Sequence, residues 1–205
     1  MNHYFTDNRH LAQNRKEITF RFSCFTCHFL TDNGVFCKDY VDFGTRTLLD
    51  AVHASGLLGE EVLDLGCGYG VIGITLKKQY PDSAFTLAEV NPRALELAQE
   101  NAARNGAEVT CVCSDVYSGV EGNTFTDILT NPPIRAGKKV IYQMFEQAYD
   151  HLREGGRLWV VIRKQQGAAS AREKIAQVFG SCEIISREKG YLVLLAKKVD
   201  KLTGD

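Results

Sequence analysis

The sequence predicts a doubly wound α/β fold: a mostly parallel, seven-stranded sheet with helices on both faces, ending in an antiparallel hairpin and preceded by a β extension. Three observations carry this. Seven short apolar runs recur from residue 61 onward, separated for the most part by helix-length segments of 3.6-residue periodicity. A glycine-rich turn, "GCGYG", follows directly on the first run. The last two runs are joined by only "REKG", too short for a parallel crossover.

Taken in order, the N-terminal part reads as a strand pair. Phe20, Phe22, Phe25 and Phe29 sit among polar residues, "ITFRFSCFTCHFL" reads as extended chain, and "TDNG" at 31–34 supplies the turn before "VF". "DFGTRTLLDAV" then reads as a helix. The strands expected after it are "EVLDL", "AFTLAEV", "EVTCVC", "FTDILT", "RLWVVIR", "CEIIS" and "YLVLLAK". In "NPRALELAQENAARNG", Asn91 is the expected N-cap, Pro92 suits the first turn, and Asn105-Gly106 closes the helix. Ile141, Met144, Phe145, Ala148 and Leu152 mark one apolar helical face, and Trp159 lies mid-strand as packing. With 205 residues and 44% hydrophobic content the chain can bury one good core but hardly two. A single domain, residues 1–205, is therefore expected, with residues 1–44 as the N-terminal β extension and 45–199 as the core.

Lys and Arg total 24 against 25 Asp and Glu, so any attraction for nucleic acid must come from local patches. No apolar run approaches the ~20 residues of a membrane span, and Met1 is followed by polar sequence, so a cytoplasmic protein without membrane contact is expected. Among seven cysteines, Cys24 and Cys27 form the only CxxC, and in extended chain they would face opposite sides. Reduced thiols are expected. His3, His10, His28, His53 and His151 show no ligand spacing, and no metal is expected.

A doubly wound sheet binds its ligand at the carboxyl ends of its strands. There "VLDLGCGYGVIG" places Asp64 before Gly66, Gly68, Gly70 and Gly73, where missing side chains let a ligand lie against backbone. Glu89 ends the second strand at a spacing suited to gripping a ribose, in either a dinucleotide or another adenosine cofactor. The glycines alone would permit a tight turn in any such fold. Asp64, however, would repel a pyrophosphate and suit an ammonium, which favours a cationic cofactor such as S-adenosylmethionine. Asp115, ending the third strand, is placed to accept from an adenine amino group.

"VLDLGCGYGVIG", "AEVNPRAL", "SDVY" and "TNPPI", in this order, resemble the class I S-adenosylmethionine-dependent methyltransferases, in the small-domain branch that modifies exocyclic amines. "HYFTDN", "DNGVFCKDYVDFGTRTLL" and "NPPIRAGKKVIYQMFEQA" are similar to single-domain relatives of the ribosomal small-subunit RNA guanine-N2 methyltransferase. The resemblance implies a Rossmann-like methyltransferase sheet, S-adenosylmethionine as cofactor, and ribosomal RNA or the small ribosomal subunit as partner. It implies cofactor contacts at Asp64, Gly66, Cys67, Gly68, Gly70, Glu89, Asp115, Val116 and Asn131. Asn131 and Pro132 are then catalytic, with Pro133, Ile134, Arg135 and Lys138 on the substrate.

The chemistry of "NPP" fits that assignment. The lone pair of a purine's exocyclic amine is delocalised into the ring, and two acceptors aimed at its N–H bonds would turn it toward a methyl group. The Asn131 side-chain oxygen and the Pro132 carbonyl are those acceptors, on backbone whose φ angles proline fixes. Ile134 stands where the wider NPP-containing group often has an aromatic ring. Lys139, Arg163 and Lys164 join Arg135 and Lys138 as cations for RNA phosphates, or as ordinary solvated charges. Phe36 and Thr45 belong either near the cofactor or to the core. A protein glutamine amide poses the same nucleophile problem and is the rival substrate, and a non-catalytic RNA-binding module is the rival from another class.

Overall fold

The computed structural model describes residues 12–199. The similarity noted at "HYFTDN", and His3 and His10, lie outside the described residues.

A two-stranded antiparallel unit comes first, β1 (Lys16–Phe22) against β2 (Phe25–Thr31). Its turn is not at 31–34, as expected, but at Ser23–Cys24, where Ser23 takes a positive φ and Phe22 pairs with Phe25. Residues 31–34 instead leave the hairpin. Cys24 thus sits exposed in the turn while Cys27 is buried on β2, and all seven cysteines are free thiols.

The remaining elements are α1 (Phe43–Ser55), β3 (Glu61–Leu65), α2 (Val71–Gln79), β4 (Ala84–Glu89), α3 (Pro92–Arg104), β5 (Thr110–Cys113), β6 (Phe125–Thr130), α4 (Lys138–His151), β7 (Leu152–Arg163), α5 (Ala168–Phe179), β8 (Glu183–Glu188) and β9 (Tyr191–Lys197). Asn91 caps α3 through Arg93 and Ala94 N–H groups, with Pro92 in the first turn, as the sequence predicts. Leu152 is the exception to the predicted α4 face: it opens β7, pairing with Phe125, although it is buried like the helical residues before it.

The sheet order is β5-β4-β3-β6-β7-β9-β8. The first five strands in that order run parallel, and β9 is antiparallel to both neighbours. Lys189 and Gly190 both have positive φ, which lets two residues close the β8–β9 hairpin. Alternation along the strands divides the core. Val62, Leu129, Trp159 and Val161 pack with α1, α2 and the N-terminal hairpin, while Leu63, Ile128, Leu158 and Val160 pack with α4 and α5. The chain reverses its winding between β3 and β6, so the loops after those two strands flank the switch point. No helix among the described residues is long and apolar enough to cross a membrane.

Candidate active site

The loop after β3 is built around two buried carboxylates. Asp64, fully buried, accepts the Gly73 N–H at 2.8 Å through Oδ2, while its Oδ1 is buried without a hydrogen-bond partner. Gly73 gives this approach its room, because a Cβ would lie 2.5 Å from Leu87 Cδ1 and 3.2 Å from Asp64 Oδ2, so that one of them would have to shift. Burial pushes the Asp64 carboxyl up to about 7, against the pull of the Gly73 N–H, and the Glu89 charge adds to the rise. Glu89, almost fully buried, accepts the Gly68 N–H at 2.9 Å and the Asn91 N–H at 2.8 Å, one on each oxygen. Burial raises its pKa, and these N–H groups oppose the rise. A carboxylate offers about four lone-pair sites, so each oxygen retains capacity for a further donor.

Gly66 and Cys67 both donate to the Ala88 carbonyl, pinning the turn to β4. Gly66 sits at φ 74°, and its nearest neighbour on the Cβ side is Met144 Cε at 4.0 Å, so the backbone there faces open space. Cys67 is buried, and burial pushes its thiol well up, so it is no nucleophile. Gly70 starts α2 in the left-handed conformation. After β5, Asp115 is exposed and Val116 holds φ 54°, a strained value for a β-branched residue. The Ser114 hydroxyl, donating to the Val116 carbonyl at 2.8 Å, helps hold it.

After β6, Asn131 is half-buried, Pro132 buried, and Pro133 and Ile134 half-buried before a single 3-10 turn at Ile134–Ala136. Arg135, Lys138 and Lys139 are exposed, as are Arg163 and Lys164 at the end of β7. Asn131 Nδ2 donates to Thr45 Oγ1 at 3.1 Å and reaches Asp42 Oδ1 and Oδ2 at 3.3 and 3.4 Å. A carboxylate only accepts, so the amide must turn its nitrogen toward Asp42 and present Oδ1 on its other side. Of the two residues whose place the sequence left open, Thr45 is buried against Asn131, and Phe36 is 52% exposed rather than core packing.

Sequence reasoning missed Asp42. It is the N-cap of α1, accepting from the Thr45 N–H at 3.1 Å, and the spacing of Asp42 and Thr45 before an apolar periodic run was the available signal. Asn101 was missed as well. Fully buried, it exchanges two hydrogen bonds with the Leu30 backbone and donates to the Tyr69 carbonyl at 2.9 Å, tying hairpin, helix and glycine turn together. Among the described residues no group of three or more His, Cys, Asp or Glu side chains is arranged to hold a metal ion.

Residues 26–195 match the family model described as methyltransferase small domain. The chain is 43% identical over 199 residues to uncharacterized protein YbxB of Bacillus subtilis (strain 168), covering 96% of this chain and 98% of that one. It is 35% identical over 167 residues to ribosomal RNA small subunit methyltransferase C of Actinobacillus pleuropneumoniae serotype 3 (strain JL03), covering 80% of this chain and 50% of that one. Among solved structures, the T. thermophilus 16S rRNA N2 G1207 methyltransferase (RsmC), in complex with AdoMet and guanosine, is similar with a TM-score of 0.82 and 25% identity, over 90% of this chain and 50% of that one. The chain thus spans about half the length of these two RNA methyltransferases.

Proposed function

The chain belongs to the methyltransferase small-domain family, and within it we propose that the protein methylates an exocyclic amine of ribosomal RNA, guanine N2 of the small-subunit RNA, using S-adenosylmethionine. The observation that carries this reading is the orientation of Asn131, whose nitrogen is occupied by Asp42 and Thr45 so that its oxygen is left to accept. The names of the two RNA methyltransferases it resembles support the same substrate class.

The residues present fit the cofactor. Asp64 Oδ1 is a buried acceptor without a donor, Gly66 leaves open space beside the backbone, and Glu89 keeps lone pairs for ribose hydroxyls. In this reading Asp64, Gly66, Cys67, Gly68, Gly70 and Glu89 hold it on one side of the switch point, with Asp115 and Val116 against the adenine. Bound S-adenosylmethionine supplies an electrophilic methyl group on a sulfonium. Asn131 Oδ1 and the Pro132 carbonyl accept the two N–H bonds of the amine, localise its lone pair and hold it in line. Pro133 and Ile134 wall the base, and Arg135 and Lys138 meet phosphates. The alkylated nitrogen is acidic and releases its proton to water, so no strong base is required of these residues. The N-terminal hairpin of β1 and β2 and the core of residues 45–199 work as one catalytic unit.

Nucleoside mass spectrometry of ribosomal RNA from cells with and without the protein tests the substrate, with loss of one N2-methylguanosine expected. A methylated protein glutamine lost in its place would transfer the assignment to the amide substrate. For the cofactor, S-adenosylmethionine should raise the melting temperature of the purified protein and NAD should not. Equal stabilisation by NAD would defeat the cofactor assignment.

A further inference from the structure

We infer that the substrate RNA leaves the catalytic loop as a single strand running over the β8–β9 hairpin, a base on the Tyr40 ring and its phosphates against Arg163, Lys164, Arg187 and Lys189. This rests on the RNA reading above and adds Tyr40, Arg187 and Lys189 to the cations already expected on RNA phosphates.

The topology sets the direction. The glycine turn and Glu89 occupy the β3 and β4 side of Asn131, so the strands left open beyond it are β7, β9 and β8. Arg163 pairs with Tyr191, and Tyr191 with Glu188, which brings the Lys189–Gly190 turn to the same carboxyl edge as the catalytic loop. At ~4.8 Å per strand, that turn lies roughly 10–15 Å from the β6 strand.

The start of α1 joins the two places. Asp42 holds Asn131, and the adjacent Phe43 ring lies 5.8 Å from the Tyr191 ring. Gly44 makes that approach possible, since a Cβ there would stand 2.8 Å from Tyr191 Cε1. Lys189 Nζ lies 4.7 Å over the Phe43 ring and the Arg163 guanidinium 5.9 Å over Tyr191, so both cations are gathered at this edge. Beside them is a hollow of about 240 Å³ lined by Lys164, Arg187, Lys189, Tyr191 and one acid, Glu188.

In the segment entering α1 the Tyr40 ring is left in water at 61% exposure, whereas the exposed Phe36 belongs to the glycine-turn side, between Gly34 and Cys37, whose carbonyls accept from Asn91 Nδ2 and the Tyr69 hydroxyl. Burial, with the Asp42 carboxylate next, pushes the Tyr191 hydroxyl up while Arg163 opposes, and Cys37 and Tyr40 are near enough to add to the rise. Tyr40 stands just before Phe43 in the chain, and the Phe43 ring packs against Tyr191, so this segment enters α1 beside the hairpin. An exposed ring among cations suits an unstacked base, whose face a duplex would hide. With a formal net charge of −1, the chain depends on such a local patch to attract a polyanion.

The test is binding of a fluorescein-labelled, guanine-containing single-stranded RNA, and of a duplex of equal length, at several salt concentrations. Arg187→Ala with Lys189→Ala should weaken single-strand binding about tenfold and reduce the log–log salt slope by about 1.4. Tyr40→Ala should weaken it about fivefold with the slope unchanged. Affinity for S-adenosylmethionine should stay at the wild-type value in both. If the wild type binds and methylates RNA while these variants keep its affinity and slope, the track is wrong and the RNA reading stands. Tighter binding of the duplex, equally sensitive to the variants, would overturn the single-strand assignment. A wild type that neither binds nor methylates RNA would remove both.

Discussion

Asn131 is an amide whose two ends are nearly equal in size and opposite in chemistry, so its usefulness depends on what fixes the flip. Asp42 does this with Thr45, from an N-cap position that also starts α1. Asp42→Asn keeps a good cap but sets a donor where Oδ2 now stands, 3.4 Å from Asn131 Nδ2. Turnover should fall about tenfold or more, with melting temperature and cofactor affinity near wild type. Unchanged turnover in a steady-state assay would show that Asp42 does not orient the amide. Asp64 yields a pH prediction. The folded protein holds its proton up to about 7, against about 4 for a free carboxyl, so this group makes stability fall as pH rises between those values and has no further effect above. A cation held at Asp64 requires the anion, so cofactor affinity should rise as pH climbs from about 6 to 8. Asp64→Asn should flatten that rise in calorimetric titrations, leaving only what the neighbouring Glu89 contributes.

At the scale of elements, the site depends on a helix that borrows the hydrogen bonding of a strand. Asn101 on α3 and Asn105 at its C-cap, one turn on, exchange side-chain amide bonds with the Leu30 and His28 backbones, so they act as the missing neighbour of β2. Asn101 also reaches the Tyr69 carbonyl inside the glycine turn. Asn101→Leu would leave three backbone groups without these partners, the half-buried Leu30 N–H and carbonyl and the buried Tyr69 carbonyl. A loss of about 3 kcal/mol in urea unfolding is expected, accompanied by weaker cofactor binding. Asn105 lacks the contact with the glycine turn, so Asn105→Ala should lower stability while sparing cofactor affinity.

Across the whole molecule, the Asp127 network and the proposed catalytic loop sit at opposite ends of the sheet. Near the start of β6, the fully buried Asp127 takes the Arg157 guanidinium on both oxygens, the Trp159 indole N–H at 2.8 Å and the Gly59 N–H at 2.8 Å. The same strand ends at Thr130, next to Asn131. Asp127→Ala strands a half-buried guanidinium and two donors, and should cost about 3 kcal/mol in thermal or urea unfolding. The folded fraction should still bind cofactor and turn over at wild-type rates. A selective loss of turnover would mean that the two ends are mechanically coupled.

The strands of the sheet were legible in the sequence because apolar alternation and turn chemistry act within a few residues: "EVLDL" and "FTDILT" are β3 and β6 residue for residue. The glycine turn, Glu89 and "NPP" were legible for the same reason, since strand ends and the loops that follow them are local features. The structure alone moved the N-terminal turn to Ser23–Cys24 and took Leu152 from a helical face into β7. It alone joined Asp42 to Asn131 across 89 positions and Asn101 to Leu30 across 71. Partners so far apart leave no local trace, because the free energy that joins them exists only after the intervening chain has packed into place. The sequence by itself determined which residues carry acceptors and cations, and the tertiary structure decided which way the Asn131 amide points.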